Sequence, residues 1–266
     1  MLYNLLYPLH TFFSIFNIFK YITFRTIYAT ITALIICFIL GPWFIRMLRK
    51  LKFKERINGY TPDTHLEKSG TPTMGGILII FSVALATLLW VDLSNLYMWM
   101  GMFILITYAI LGFIDDYLKT VKGNMLGLPG KVRLIIEFIA AGGVAYVLVN
   151  MPGFDSTITI PFFKNINLDL GIWYIPFAMI VIVGCANAVN LTDGLDGLAI
   201  GPATIAAATY LVFAYVTGNI KAASYLQTPF ISGVGELSIF LGAIVGAGMG
   251  FLWYNAYPAQ IFMGDT

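Results

Sequence analysis

Charged residues interrupt this sequence at intervals of about one membrane crossing, and the chain between them is almost continuously apolar. The uncharged stretches run over 26–45, 69–91, 93–114, 138–154, 170–192, 197–220 and 237–264. A helix needs roughly 20 residues to cross about 30 Å of hydrocarbon. Six stretches are long enough outright, and 138–154 becomes so if Lys131, Arg133 and Glu137 fill its first turns near the interface. Backbone in lipid must satisfy its own hydrogen bonds, so these stretches are helices. The expected fold is an all-α polytopic bundle forming a single integral membrane domain over 1–266. Its seven transmembrane helices are placed at 22–47, 73–91, 94–117, 131–150, 171–190, 197–218 and 236–256. A composition of 59% hydrophobic and 11% charged residues excludes an ordinary water-soluble domain.

Residues 1–21 carry no Lys or Arg ahead of their apolar part and no small-residue cleavage site, so they are not read as a signal peptide. Their aromatic side chains (Tyr3, Tyr7, Phe12, Phe13, Phe16, Phe19) suit a helix lying in the membrane interface. Eleven of the 15 Lys and Arg fall in two loops, around 46–68 and 119–133. Two crossings separate these loops, so they share a side, and the positive-inside rule makes it the cytoplasm, with the N-terminus outside. The outer loop over 151–171 alternates at 156–160 and 166–170 around Pro161 and Asn165, the pattern of a small β-hairpin. No basic block with interleaved aromatics points to nucleic acid. Cys37 and Cys185 lie in apolar runs and read as packed, reduced thiols, while His10 and His65 have no metal-ligand spacing.

With orientation set, the acids collect on one side. Asp115 and Asp116 end the 94–117 span, Asp193 and Asp196 lie in the turn before 197, and Asp265 follows the last span. Wet helix ends commonly carry acids, yet Asp115-Asp116 continue an unbroken apolar helix, where each would cost about 2.5–3.5 kcal/mol if it lay deep in lipid. The helix dipole also disfavours them. A divalent cation held by oxygen ligands is a natural neutraliser.

Asn187 and Asn190, one turn apart, precede Asp193-Gly194-Leu195-Asp196-Gly197, whose glycines permit a tight turn and close approach of a ligand. The plain alternative is a polar helix contact followed by a turn. A third cluster runs from Asn255 through Pro258 and Phe262 to Asp265, and Phe262 alone reads as an interface aromatic. The stretch 62–76 adds His65, Lys68 and a turn-prone Gly-Thr-Pro-Thr-Met-Gly-Gly run. A metal on carboxylates, lysines for a diphosphate, and Asn and Gly groups for a nucleoside amount to metal-dependent phosphate chemistry at a membrane face.

Lys68-Ser-Gly-Thr-Pro-Thr-Met-Gly-Gly76, Asp115-Asp116-Tyr117, 187–197 and 255–265 stand in the order and spacing of one family. Together they resemble the phospho-N-acetylmuramoyl-pentapeptide transferases, within the polyprenyl-phosphate N-acetylhexosamine-1-phosphate transferase superfamily. The resemblance implies a transferase of peptidoglycan and cell-wall synthesis in the bacterial inner membrane, its active site facing the cytoplasm. Its substrates would be UDP-N-acetylmuramoyl-pentapeptide and undecaprenyl phosphate, its cofactor Mg²⁺, and its assembly a homodimer. By this likeness Asp265 and Asp115 bind the metal, and Asp115 or Asp116 deprotonates the lipid phosphate. Lys68 contacts the diphosphate, and Asp193, Gly194, Asp196, Asn255 and Phe262 form the uridine pocket with Asn187 and Asn190 nearby. Lys119, Lys122 and Lys131 are candidates for the lipid phosphate. The family continues past Met-Gly-Asp with three more helices, to about ten, and a histidine-rich loop. This chain is therefore expected to be a piece of a longer protein with an incomplete site.

Two rival readings stand beside this one. A sister transferase would use UDP-N-acetylglucosamine, although the wording at Pro72–Gly76 and 255–265 favours the muramoyl donor. A cation transporter or channel would carry its charges near mid-bilayer, whereas these cluster at helix ends, and no internal repeat supports it.

Overall fold

A computed structural model describes residues 1–51, 71–122, 127–160, 167–193 and 195–266. It divides into two compact units, 1–127 with 192–266, and 128–191.

The first unit opens with helix α1 (Leu2–Leu6) and two 3-10 turns, Tyr7–Thr11 and Ser14–Lys20. Helices α2 (Ile22–Lys50), α3 (Gly76–Trp90) and α4 (Leu96–Thr120) follow. In the second unit α5 (Gly130–Val149) leads to an antiparallel pair, β1 (Thr157–Thr159) and β2 (Asn167–Asp169), and then to α6 (Tyr174–Thr192). The chain closes with α7 (Ile200–Thr217), a short α8 (Ile220–Leu226) and α9 (Leu237–Asn255). The expected hairpin is present, with Thr157 opposite Asp169. Asn95 caps α4, its side-chain oxygen accepting the Met98 N–H at 3.0 Å.

The fold is a polytopic helical bundle. Among the described residues, six helices (α2, α4, α5, α6, α7 and α9) are long and apolar enough to cross a bilayer. The seventh expected span, α3, has 15 residues and so rises only about 22 Å, short of the hydrocarbon thickness. Its expected first turn is irregular instead, with Met74 in the left-handed region at a φ of 78°. Both cysteines are free thiols: Cys37 is buried and donates to Ser82 Oγ at 3.2 Å, while Cys185 lies exposed on α6.

The core of the first unit is α9 against α2, with α7 and α3 alongside. Burial against lipid yields little, so membrane helices associate through close packing. Gly242, Gly246 and Gly250 recur every four residues down one face of α9, against Thr26, Thr30 and Cys37 of α2. A methyl group at Gly246 would run into the Thr30 backbone.

One end of this packing is tied by a buried ion pair. Arg25, 2% exposed, places Nη1 2.7 Å from Glu236 Oε2 and Nη2 2.5 Å from Glu236 Oε1. Glu236 Oε2 also accepts the Asp92 N–H at 3.0 Å, and the guanidinium lies 4.2 Å from the centre of the Tyr3 ring. Burial works to raise the neighbouring Asp92 carboxyl, but the Ser94 N–H, the Ser94 hydroxyl and the Asn4 amide hold it below its ordinary range.

Removing one member of a buried pair strands the other charge. Arg25→Ala is therefore expected to destabilise the protein by about 3–5 kcal/mol, read by denaturant unfolding in lipid–detergent micelles. Replacing Arg25 by Met together with Glu236 by Leu is expected to recover part of that loss. A single variant as stable as the parent would show that the pair does not hold these helix ends.

Candidate active site at the end of the fourth helix

The last turns of α4 carry Asp115, Asp116 and Lys119. Both carboxylates are buried, at 3% and 5% exposure. Lys119, one turn beyond Asp115, sets its Nζ 2.5 Å from Asp115 Oδ2 and makes a second, shorter contact with Asp265 Oδ2. Three carboxylates against one ammonium leave this group with a formal charge of −2 when all are ionised. The site is thus electrostatically prepared for a further cation.

Asp265 reaches this point because the segment after α9 is pinned on two sides. On one side it pairs with the non-helical stretch ahead of α3. The Phe262 N–H donates to Pro72 O at 2.8 Å, the Gly75 N–H to Phe262 O at 2.9 Å and the Gly76 N–H to Met263 O at 2.9 Å. On the other side it is held by Asp116. The Asp265 N–H donates to Asp116 Oδ1 at 3.0 Å, while the Thr266 N–H and hydroxyl donate to Oδ2 at 3.1 and 2.6 Å. Gly264 turns the chain into this grip at a φ of +81°, and a side chain there would come within 2.6 Å of Asp116 Oδ2. Gly112 on α4 leaves room for the segment, since a Cβ there would overlap the Asp265 carbonyl.

A second knot lies where α7 begins. Asn255, the last residue of α9 and 3% exposed, accepts the Gly197 N–H at 3.0 Å and donates to Ile261 O at 3.0 Å. Asp196 Oδ2 accepts the Ala259 N–H at 3.2 Å. In this geometry Asn255 and Asp196 tie the 195–197 turn to the chain leading to Asp265. Phe262 and Asp193 are half-buried, and Lys122 is exposed. Lys68 and Gly194 lie outside the described residues.

The second unit holds the remaining expected residues. Lys131 is exposed at the start of α5, and Asn187 and Asn190 lie on α6. Asn187 Nδ2 donates to Glu137 Oε2 at 2.6 Å and to Val183 O at 2.9 Å. Glu137, 1% exposed, pairs through Oε1 with Arg133 Nε at 2.9 Å. Sequence reasoning gave Glu137 no role beyond the membrane interface. The available signal was an Arg and a Glu four residues apart at the head of an apolar run.

Among the described residues, no group of three His, Cys, Asp or Glu side chains makes a closed metal cage. Two oxygen donors, Asp115 Oδ2 and Asp265 Oδ2, do converge on one cation, the Lys119 ammonium. Magnesium commonly takes one or two carboxylates and completes its shell with water and substrate phosphates. The residues present fit that pattern.

If Asp116 holds the segment, Asp116→Ala is expected to speed hydrogen exchange at the Asp265 and Thr266 amides by roughly tenfold, the effect of one lost hydrogen bond. Gly112→Val, which crowds the same strand, is expected to act in the same direction. Unchanged protection in both variants, measured by exchange mass spectrometry in lipid, would show that the segment is held by something else.

Comparison with known proteins identifies the family. Residues 95–266 match the family described as glycosyl transferase family 4. Residues 68–80 match the phospho-N-acetylmuramoyl-pentapeptide-transferase signature 1. The phospho-N-acetylmuramoyl-pentapeptide-transferase of Syntrophus aciditrophicus is 62% identical over 266 residues, all of this chain and 74% of the relative. Those of Pelobacter propionicus and Citrifermentans bemidjiense are 56% and 54% identical over the same shares. The chain belongs to the phospho-N-acetylmuramoyl-pentapeptide-transferase family.

Proposed function

We propose that this protein transfers phospho-N-acetylmuramoyl-pentapeptide from its UDP donor to undecaprenyl phosphate, releasing UMP and forming the first lipid-linked intermediate of peptidoglycan. The observation that carries the reading is the convergence of Asp115, Asp265 and Lys119 at the end of α4, in a chain of this family. In the reaction an oxygen of the lipid phosphate attacks the sugar-bearing phosphorus of the donor. The P–O bond to the uridine-side phosphate breaks, and UMP leaves with its electron pair. Such transfers depend mainly on positioning and charge stabilisation.

Mg²⁺ is the proposed cofactor, with Asp265 and Asp115 as its protein ligands, and when bound it neutralises the diphosphate and the departing UMP. Lys119, now bridging the two carboxylates, is placed to turn to phosphate as they take the ion. Asp116 already accepts three hydrogen bonds from the Asp265–Thr266 segment, so its oxygens are engaged in holding the chain. Asp115 is accordingly the proposed base for any proton on the lipid phosphate. Lys68 is assigned to the diphosphate, and Asp193, Gly194, Asp196, Asn255 and Phe262 to the uridine side with Asn187 and Asn190. Lys122 and Lys131 are assigned to the lipid phosphate. The charge pattern of the loops supports a cytoplasmic active site with the N-terminus outside. Homodimer formation is proposed from the family likeness.

The test is UMP release in lipid with undecaprenyl phosphate, comparing the muramoyl-pentapeptide donor with UDP-N-acetylglucosamine. Release is expected with the muramoyl donor alone, abolished by chelation and restored by Mg²⁺. Asp265→Asn is expected to lower the rate by roughly a hundredfold or more, the scale of removing one electrostatic stabiliser. Release with UDP-N-acetylglucosamine alone would overturn the assignment in favour of the sister activity. Full activity after chelation would overturn the metal's role.

A further inference from the structure

Glu137 is a buried acid that the reaction does not use. A carboxylate removed from water needs both a countercharge and hydrogen bonds. Glu137 divides its two oxygens accordingly, Oε1 to the Arg133 guanidinium at 2.9 Å and Oε2 to Asn187 Nδ2 at 2.6 Å. The second donation of Asn187 Nδ2, to Val183 O at 2.9 Å, uses the other amide hydrogen. Both neighbours of that nitrogen are acceptors only, so the orientation of the amide follows from chemistry. What remains of Asn187 is its carbonyl oxygen, to which no described residue donates, on a half-exposed side chain of α6.

We infer that Glu137 is a positioning residue, which locks Asn187 so that this oxygen is the only polar atom it can offer a ligand. A lone carbonyl accepts and cannot donate. Diphosphate oxygens likewise only accept, and so are excluded as its partner. Asn187 therefore reads an N–H or O–H of the nucleotide-sugar donor, such as a uracil imide, a ribose or sugar hydroxyl, or an amide N–H. The inference rests on the assignment of Asn187 to donor binding made above. It adds the atom used, the class of group read, and the residue that enforces the choice. An ion pair with Arg133 alone would not need the second oxygen, and a helix contact alone would not need an acid.

The test is a kinetic cycle in the full chain in lipid, following UMP release against donor concentration. Asn187→Ala is expected to raise the KM for the donor roughly tenfold with kcat changed less than about threefold, the mark of a binding contact. Glu137→Ala is expected to raise KM to a similar extent, and the double variant to be no worse than Asn187→Ala. Glu137→Gln keeps the shape and serves if the alanine variant fails to accumulate. It is expected to raise KM in part, and to add nothing once Asn187 is alanine.

Loss of kcat rather than KM in Glu137→Ala, or a Glu137 effect that multiplies on top of Asn187→Ala, would overturn the positioning role while leaving donor contact by Asn187 standing. A parental KM in Asn187→Ala would instead remove the assignment on which the inference rests.

Discussion

The candidate active site of this protein depends on Asp116 accepting three hydrogen bonds from Asp265 and Thr266. A buried carboxylate at a helix C-terminus is unfavourable on two counts, desolvation and the dipole, and needs donors. Backbone and hydroxyl donors from the segment after α9 supply them. The acid is thereby satisfied, and the segment acquires one defined path, with Gly264 and Gly112 leaving room for it. That path brings the Asp265 side chain to Lys119 and, through it, to Asp115. Two adjacent aspartates thus do different work: Asp116 holds the chain in place and Asp115 faces the cation.

The direction of α9 is set from elsewhere. Its glycine face lets the α2 backbone approach closely, and Arg25–Glu236 ties its far end to α2. At the near end Asn255 joins α9 to Gly197 and Ile261. A helix held at both ends and along one face cannot slide, so the eleven residues beyond it deliver Asp265 to a reproducible place. Pre-organisation of this kind is what phosphoryl transfer requires of a protein.

Much of this was legible in the sequence. Charges placed at the ends of apolar runs revealed the spans, and the same feature marked Asp115, Asp116 and Asp265, because acids at such positions need a reason. The 69–91 stretch misled over length, since counting uncharged residues cannot tell a non-helical Thr71–Gly75 from a helical one. Its backbone pairs with Phe262 and Met263, a partner nearly 190 residues away. The ties made by Asn255 and by Glu137 were hidden for the same reason. An Asn or Glu near a helix end looks alike whether it meets substrate or a distant strand of its own chain. The glycines at 242, 246 and 250 stand at four-residue intervals in the sequence, but only the packing against α2 shows what they are for.

The most direct measurement of the central claim uses Mn²⁺ in place of Mg²⁺, read by electron paramagnetic resonance on the protein in lipid with the UDP donor present. The account predicts one bound Mn²⁺ per chain with phosphorus hyperfine coupling. It also predicts an affinity lowered roughly tenfold or more by Asp265→Asn, and by Asp116→Ala, which touches the ion only through the segment it holds. Mn²⁺ binding that is indifferent to Asp265 would contradict the account.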